Sequence, residues 1–371
     1  MNKTKKHKIA VIPGDLNGKT VTEAILSLYD SFKKTLKYPI EHTIMPYNTD
    51  YFIKKGITEL TDNDMKILKG YDSIFLGAIG DPTKIEPGVI ENGILIKIRQ
   101  EFDQYVNLRP IKQLPNTKCE ILGKTFTNVD FLICRENTEG LYIGKGYVKN
   151  KGTDDELGVQ EMHCSYKGVK RLAEFGIKKS LERKKKLHFI FKNNVLFNAA
   201  VPWTRVEEEI RKKYENEIDI NYMHFDNFMM QVMQDPEQFD VALLENFMGD
   251  SASDLPSLLQ GGIGTAISGN LNPKGIYPSM YEPTHGTAPD KWYEIDREGN
   301  LIPNTYNPKL IQKIKPEATF MAYAMMLKHR GEYDAANIIQ AAAENNILDP
   351  KYKEKTLNEL VDQAKKYIRN N

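Results

Sequence analysis

The sequence predicts an α/β protein built on an open, mostly parallel sheet. Two observations carry this. Short apolar runs of strand length alternate with amphipathic helical stretches. With 371 residues, 40% of them apolar, the chain is also long enough for a large core, in two domains or one large unit. In order, KIAVIP (8–13) reads as a buried strand and a helical pattern runs from Lys19 to Lys34. IEHTIMPY (40–47) is a second strand, and TDNDMKILKG (61–70) is a helix with Thr61 or Asp62 capping its start. DSIFLGAIG (72–80) is a third strand ending in glycine, and GILIKIRQEFDQY (93–105) is a helix.

The rhythm then loosens. NVDFLICRE (128–136) is a strand, GVQEMHCSY (158–166) a further one, and residues 165–186 form a long helix with a basic end. LHFIFK (187–192), IDINYMHF (218–225) and FDVALLEN (239–246) are strands separated by helices. After about residue 265 comes a loop-rich region, then three helices. No linker divides the chain into consecutive halves, which leaves room for a core made of both chain ends around a central insertion.

Composition removes several classes of function. Lys and Arg number 51 against 50 Asp and Glu, a net charge of +1, so neither nucleic acid nor an anionic membrane would find a broad cationic surface. Three scattered cysteines, Cys119, Cys134 and Cys164, make no disulfide framework or CxxC pair and fit a reducing cytoplasm. The basic start reads as a solvated leader, because the apolar run behind it is too short for a signal peptide.

Four groups of residues carry chemistry. IPGDLNGKT (12–20) has the strand–loop–helix setting of a phosphate loop, but only three residues separate Gly14 from Gly18, and Pro13 has no N–H to donate. No GxGxxG follows a strand, so any dinucleotide must bind by other means. Asp250 and Asp254 lie four apart at an expected helix start, and Asp226 begins another helix. Such carboxylates can hold Mg²⁺ or Mn²⁺ or simply cap helices, and spacing alone leaves both open. Arg99, Arg109 and Arg135 suit a di- or polycarboxylate, or salt bridges to nearby acids. Lys192 at a strand end and Tyr142 in ENTEGLYIG are candidate proton-transfer groups.

Together these segments resemble the β-decarboxylating 2-hydroxyacid dehydrogenases, the isocitrate/isopropylmalate dehydrogenase family. The resemblance runs in order through IAVIPGD, IFLGAIGDP, IRQEFDQYVNLRP, CRENTEGLYIG, FKNNVL, FDNFMMQVMQDPEQFDV, ENFMGDSASD, GNLNP, YEPTHGTAPD and PEATFMAYAMMLKHRG. FDQYVNLRP and SGNLNP look closest to the D-malate/tartrate branch. The resemblance implies a large cofactor-binding domain from residues 1–104 and 265–371, and an inserted smaller α/β domain, 105–264, for substrate, metal and dimerisation. It implies a homodimer with shared sites, Lys192 and Asp226 reaching across, and no nucleic-acid or membrane partner.

Role by role, the resemblance implies that Arg99, Arg109 and Arg135 bind the substrate carboxylates, and that Asn194 positions nearby groups. Asp250, supported by Asp254, would share Mg²⁺ or Mn²⁺ with the partner's Asp226. Lys192 would take the hydroxyl proton and Tyr142 would protonate the enol. NAD would lie on Ile12, His285, Gly286, Thr287, Ala288 and Asp290, with the Asp290 carboxylate on the ribose hydroxyls disfavouring NADP. Substrate choice would rest on Asn92, Leu95 and Ile96. Isocitrate enzymes place a serine and an asparagine where this chain has Gly93 and Leu95. The implied activity is therefore oxidative decarboxylation of a (2R)-malate-type diacid (D-malate, tartrate or a 3-alkylmalate such as 3-isopropylmalate) rather than isocitrate. The alternative is a non-catalytic regulatory or ligand-binding subunit of the same family.

The chain departs from the family pattern in three places. The usual Gly-Asp-Gly-Ile-Gly is Gly14-Asp15-Leu16-Asn17-Gly18, residues 291–314 form an apparent insertion, and Lys315 stands where an adenine-contacting asparagine is expected.

Overall fold

The computed structural model describes residues 6–114, 117–121, 123–303 and 305–371. Most of the basic leader and Asn304 of the expected insertion therefore lie outside the described residues. The chain forms two compact units, residues 1–102 with 262–371, and residues 103–261.

In the first unit five strands pair in the order Ile267–Leu271, Ser279–Pro283, Ser73–Leu76, His7–Ile12, Ile40–Ile44. The last four run parallel, and Ile267–Leu271 is antiparallel to its neighbour. His7–Ile12 shows why: five of its six residues are buried, the continuous apolar pattern of a strand covered on both faces. One apolar cluster joins Ala10, Ile12, Ile74, Leu76 and Met280 of the strands to Phe52, Met65, Leu68, Ile94 and Ile98 of the helices. The Glu317–His329 helix packs on Ser279–Pro283 and on the Asn17–Leu26 helix.

The second unit repeats the plan. Its strands pair as Asp219–His224, Lys186–Phe191, Val241–Leu244, Asp130–Glu136, Val106–Lys112. The first four are parallel and the fifth is antiparallel. Helices Tyr166–Leu181 and Phe197–Tyr214 pack together, as do Phe225–Gln234 and Asn246–Ser257.

Several local expectations are corrected. The Lys19–Lys34 helix is interrupted: Asn17–Leu26 ends where the Ser27 hydroxyl donates back to Ala24 O (2.7 Å), and a short Tyr29–Phe32 helix and a 3₁₀ turn follow. The 93–105 helix begins as a π-helix, Glu91–Ile96, before Lys97–Glu101. Of 158–166, only Leu157–Gln160 supplies a strand, paired with Gly146–Lys149. The loop-rich region after 265 contains the antiparallel pair Ile267–Leu271 and Ser279–Pro283. Thr61 caps its helix as expected, in a capping box with Asp64.

Candidate active site

Open parallel sheets bind ligands beyond the carboxyl ends of their strands. In the second unit the register aligns Arg135 with Leu244, Leu244 with Ile190, and Phe191 with His224. Lys192, Asn246 and Asp226 therefore follow the ends of three adjacent parallel strands, and Arg135 sits at the end of a fourth.

Arg135 is 1% exposed, and burial of a guanidinium at that depth demands partners. Its Nε and Nη2 donate to Asn246 Oδ1 (2.9 and 2.7 Å), and its Nη1 donates to Asp250. Arg109, 8% exposed, donates from Nε to Asn107 Oδ1 (2.8 Å), from Nη2 to Asp250 Oδ1 (2.9 Å), and from Nη1 to the Ser253 hydroxyl. Asp254 lies 3.6 Å from the same guanidinium. The Tyr142 hydroxyl donates to the other oxygen of Asp250 (3.2 Å), and the Arg135 guanidinium lies 5.5 Å from the centre of its ring. Two cations and a phenol thus converge on one carboxylate.

The Asn246–Ser257 helix makes this possible. Asp250 and Asp254 lie within it, not at its start, so the capping reading fails. Glu245 is the cap, its carboxylate accepting from Met248 N at 3.1 Å. Four apart, the two aspartates share a helix face. Gly249 lets that helix meet the arginine, because a Cβ there would lie 2.7 Å from Arg135 Cβ and Cγ.

The electrostatics match the geometry. Burial pushes the Tyr142 phenol above its ordinary value, Asp250 adds to the rise and Arg135 opposes it, so the tyrosine holds its proton. Burial also pushes the Asp254 carboxyl up, against the pull of Arg109. Lys192 Nζ forms a separate pair with Asp226 (2.7 Å), and this hydrogen bond holds the Asp226 carboxyl low. Asn194 lies exposed in the turn after Lys192. Among the described residues no three His, Cys, Asp or Glu side chains gather as a metal cage. Asp250 and Asp254, 35% and 59% exposed, nevertheless offer the hard oxygen donors that suit Mg²⁺ or Mn²⁺.

The first unit holds the other candidates. Arg99, 5% exposed, donates to Glu282 Oε1 (3.0 Å), which also accepts from Ser268 and Asn270. Asn92 is exposed and donates to Gly88 O (2.7 Å), Leu95 packs partly against the core, and Ile96 is half-buried. Gly93 faces inward, and a Cβ there would fall 2.2 Å from Thr58 O, so this backbone has no room for a serine.

Three loops follow adjacent parallel strands here: Pro13–Gly18, Gly77–Asp81 and Thr284–Asp290. Ile12 is wholly buried, its carbonyl accepting from Gly77 N (2.8 Å). Thr287 is buried, while Gly286 and Asp290 are exposed and Ala288 adopts φ +44°. His285 Nδ1 lies 3.1 Å from Gly286 O, and burial holds this histidine's basicity low. His285 Nε2 and Thr284 Oγ1 are buried with no partner among the described residues, an unmet hydrogen-bonding capacity that fits a polar ligand on this loop.

Sequence reasoning missed Glu282, Glu245, Asn246, Ser253 and Asn107. All five lie within the family-like segments; the need of each buried arginine for an acceptor signalled that partners exist but not which residues they are.

The family model described as isocitrate/isopropylmalate dehydrogenase matches residues 8–367. The 3-isopropylmalate dehydrogenase of Thermobifida fusca is 37% identical over 340 residues, 91% of this chain and 90% of that protein. That of Corynebacterium urealyticum is 36% identical over 335 residues, 90% of this chain and 91% of that protein. The structure of isocitrate dehydrogenase from Methylococcus capsulatus aligns with a TM-score of 0.81 at 25% identity, covering 98% of this chain and 99% of that one. A β-decarboxylating dehydrogenase from Thermococcus kodakarensis shares the fold, with a TM-score of 0.72 at 24% identity over 98% and 96% of the two chains. The chain belongs to the isocitrate/isopropylmalate dehydrogenase family. It is an enzyme, a dehydrogenase resembling the 3-isopropylmalate dehydrogenases.

Proposed function

We propose that the protein oxidises and decarboxylates a (2R)-malate-type 2-hydroxy diacid with NAD⁺ and Mg²⁺ or Mn²⁺. The substrate would be D-malate, tartrate or a 3-alkylmalate such as 3-isopropylmalate, with isocitrate disfavoured. The observation that carries this reading is the convergence of Arg109, Arg135 and Tyr142 on Asp250. Two buried forks next to helix carboxylates suit an anion that arrives with a divalent ion. With a divalent ion held at Asp250, Arg109 and Arg135 would be available to pair with the substrate's carboxylates.

Asp250 and Asp254 would hold the metal, which when bound polarises the substrate hydroxyl and stabilises the enolate. NAD⁺ would lie on the Thr284–Asp290 loop, with His285 meeting the adenosine and Asp290 the ribose. Tyr142, which keeps its proton, is the acid for the enol carbon. Lys192 is the base for the hydroxyl. Arg99 and Asn194 keep the roles the family gives them. We assign Lys192 and Asp226 to the site of a second copy. Exposed Phe197 (69%), Val201 (63%) and Met230 (55%), on helices adjoining Lys192 and Asp226, offer apolar surface for that copy to cover.

On substrate choice, a third carboxylate would need a hydrogen-bonding partner on the 91–96 turn. Leu95 and Ile96 are apolar, and Gly93 is turned inward with no room for serine. Comparing kcat/KM for D-malate, tartrate, 3-isopropylmalate and isocitrate, with NAD⁺ and Mn²⁺, tests this. Isocitrate should be the poorest, and a preference for it would overturn the pocket argument.

A further inference from the structure

The 291–314 segment and the altered first loop are two of the departures from the family pattern, and the structure connects them. Leu16 stands where the family has glycine. It adopts φ +46°, ψ −117°, a conformation that a side chain opposes, and its side chain is buried (9% exposed). Strain of this kind persists only where the surroundings fix the backbone on both sides.

On one side, the Asp15 N–H donates to Ala78 O (2.8 Å), and the Asp15 carboxylate accepts from Thr49 N (3.1 Å) and Gly80 N (2.9 Å). On the other side, the Asn17 N–H donates to Thr287 O (3.3 Å), and Asn17 Oδ1 accepts from Trp292 Nε1 (3.0 Å). Trp292 belongs to the inserted segment. It packs on a small core of Val21, Ile311 and Ile314, and its backbone N–H donates to Pro289 O (2.9 Å). The next residue, Tyr293, donates its hydroxyl to buried Asp81 (2.8 Å), in the loop after the third strand.

One inserted segment therefore ties together the loops that follow three adjacent parallel strands, those at Pro13–Gly18, Gly77–Asp81 and Thr284–Asp290. Lys315, at its end, does not face this junction. Its Nζ donates to Tyr352 O (2.8 Å) and Lys355 O (2.6 Å).

We infer that the inserted segment, through Trp292 and Tyr293, acts as a strap that holds the strained first loop in its cofactor-binding form, with Trp292 and Asn17 as the positioning pair. The inference rests on the cofactor reading above. The insertion supplies from outside the restraint that a glycine at position 16 would make unnecessary.

The test is calorimetric titration of the full-length protein with NAD⁺, and separately with AMP to probe the adenosine end. Trp292→Phe keeps an aromatic ring and removes the indole N–H. Its Kd for NAD⁺ should rise about fivefold, the scale of one lost hydrogen bond. Asn17→Ala should match it, and the double variant should be no worse than either, because both remove one contact. In turnover the change should fall on KM for NAD⁺ rather than on kcat. Leu16→Gly added to Trp292→Phe should restore affinity, which a merely structural tryptophan does not predict. Tyr293→Phe, which removes the Asp81 bond, is the second variant should Trp292→Phe fail to fold. Wild-type affinity in Trp292→Phe, or a loss that Leu16→Gly leaves untouched, overturns the strap. A wild-type protein that binds no NAD⁺ overturns the cofactor reading itself, and the strap with it.

Discussion

Asp250 accepts hydrogen bonds from two guanidinium groups and a phenol, so three donors share one carboxylate. Arg135 uses three of its donor positions on Asn246 and Asp250, a planar fork that an ammonium cannot copy. Arg135→Lys should therefore cost at least about 2 kcal/mol of transition-state binding, the scale for breaking a buried, hydrogen-bonded charge pair. The check is a fall in kcat/KM of roughly thirtyfold or more on the preferred substrate. Tyr142→Phe removes only the phenolic hydroxyl. Enol protonation should slow by about 10²-fold or more, the usual worth of a positioned acid, while oxidation slows less. Single-turnover NADH formation set against product release separates the two steps. At this scale the arginines and carboxylates were visible in the sequence, because such side chains in apolar runs need partners. Which acceptor each arginine would choose was not. Asn246 is brought to Arg135 by the pairing of Val241–Leu244 with Asp130–Glu136, and Glu282 meets Arg99 where a strand lies against a helix from far away in the chain, neither of which local patterns encode.

Helices decide how those side chains are presented. The Asn246–Ser257 helix lies against the Arg135 side chain only because Gly249 has no Cβ; one added there would fall 2.7 Å from Arg135 Cβ and Cγ. Gly249→Ala should push the helix or the arginine aside at a cost of about 1–3 kcal/mol, as overpacking does. It should lower the melting temperature and reduce activity together. The sequence placed Asp250 and Asp254 on one helix but put its start several residues late. Glu245, not a serine, threonine or aspartate, supplies the cap, so the usual start signal was missing. The Glu91–Ile96 π-helix was equally hidden, since apolar spacing cannot distinguish a wider turn over six residues.

Over the whole molecule, the alternation of strands and helices was legible because most of the paired strands, Ile40–Ile44 and Asp219–His224 apart, are buried along nearly their whole length and read as continuous apolar runs. That same burial encloses groups that titrate. Burial drives the basicity of His42 and His188 down from the ordinary 6.5 to about 4. A histidine whose folded pKa is depressed is neutral in the native state, whereas the unfolded chain takes up a proton below about 6.5. Stability is therefore fully present above that value and declines as pH falls from 6.5 towards 4. Melting temperatures measured across this window should drop as acid is added. His188→Gln should flatten that slope relative to wild type, and an unchanged slope would show that this histidine does not drive it.

The first unit draws its strands from both ends of the chain, and this has a consequence for biosynthesis. The strand at Ser73–Leu76 leaves the ribosome early, yet one of its flanking partners, Ser279–Pro283, is made only after the entire second unit. Until then an apolar edge stays uncovered on the nascent polypeptide, open to aggregation and to chaperones. The second unit, contiguous from Asp103 to Gly261, can complete its fold first. Emergence of Ser279–Pro283, rather than synthesis of the first hundred residues, then sets the moment at which the amino-terminal strands become protected from exchange.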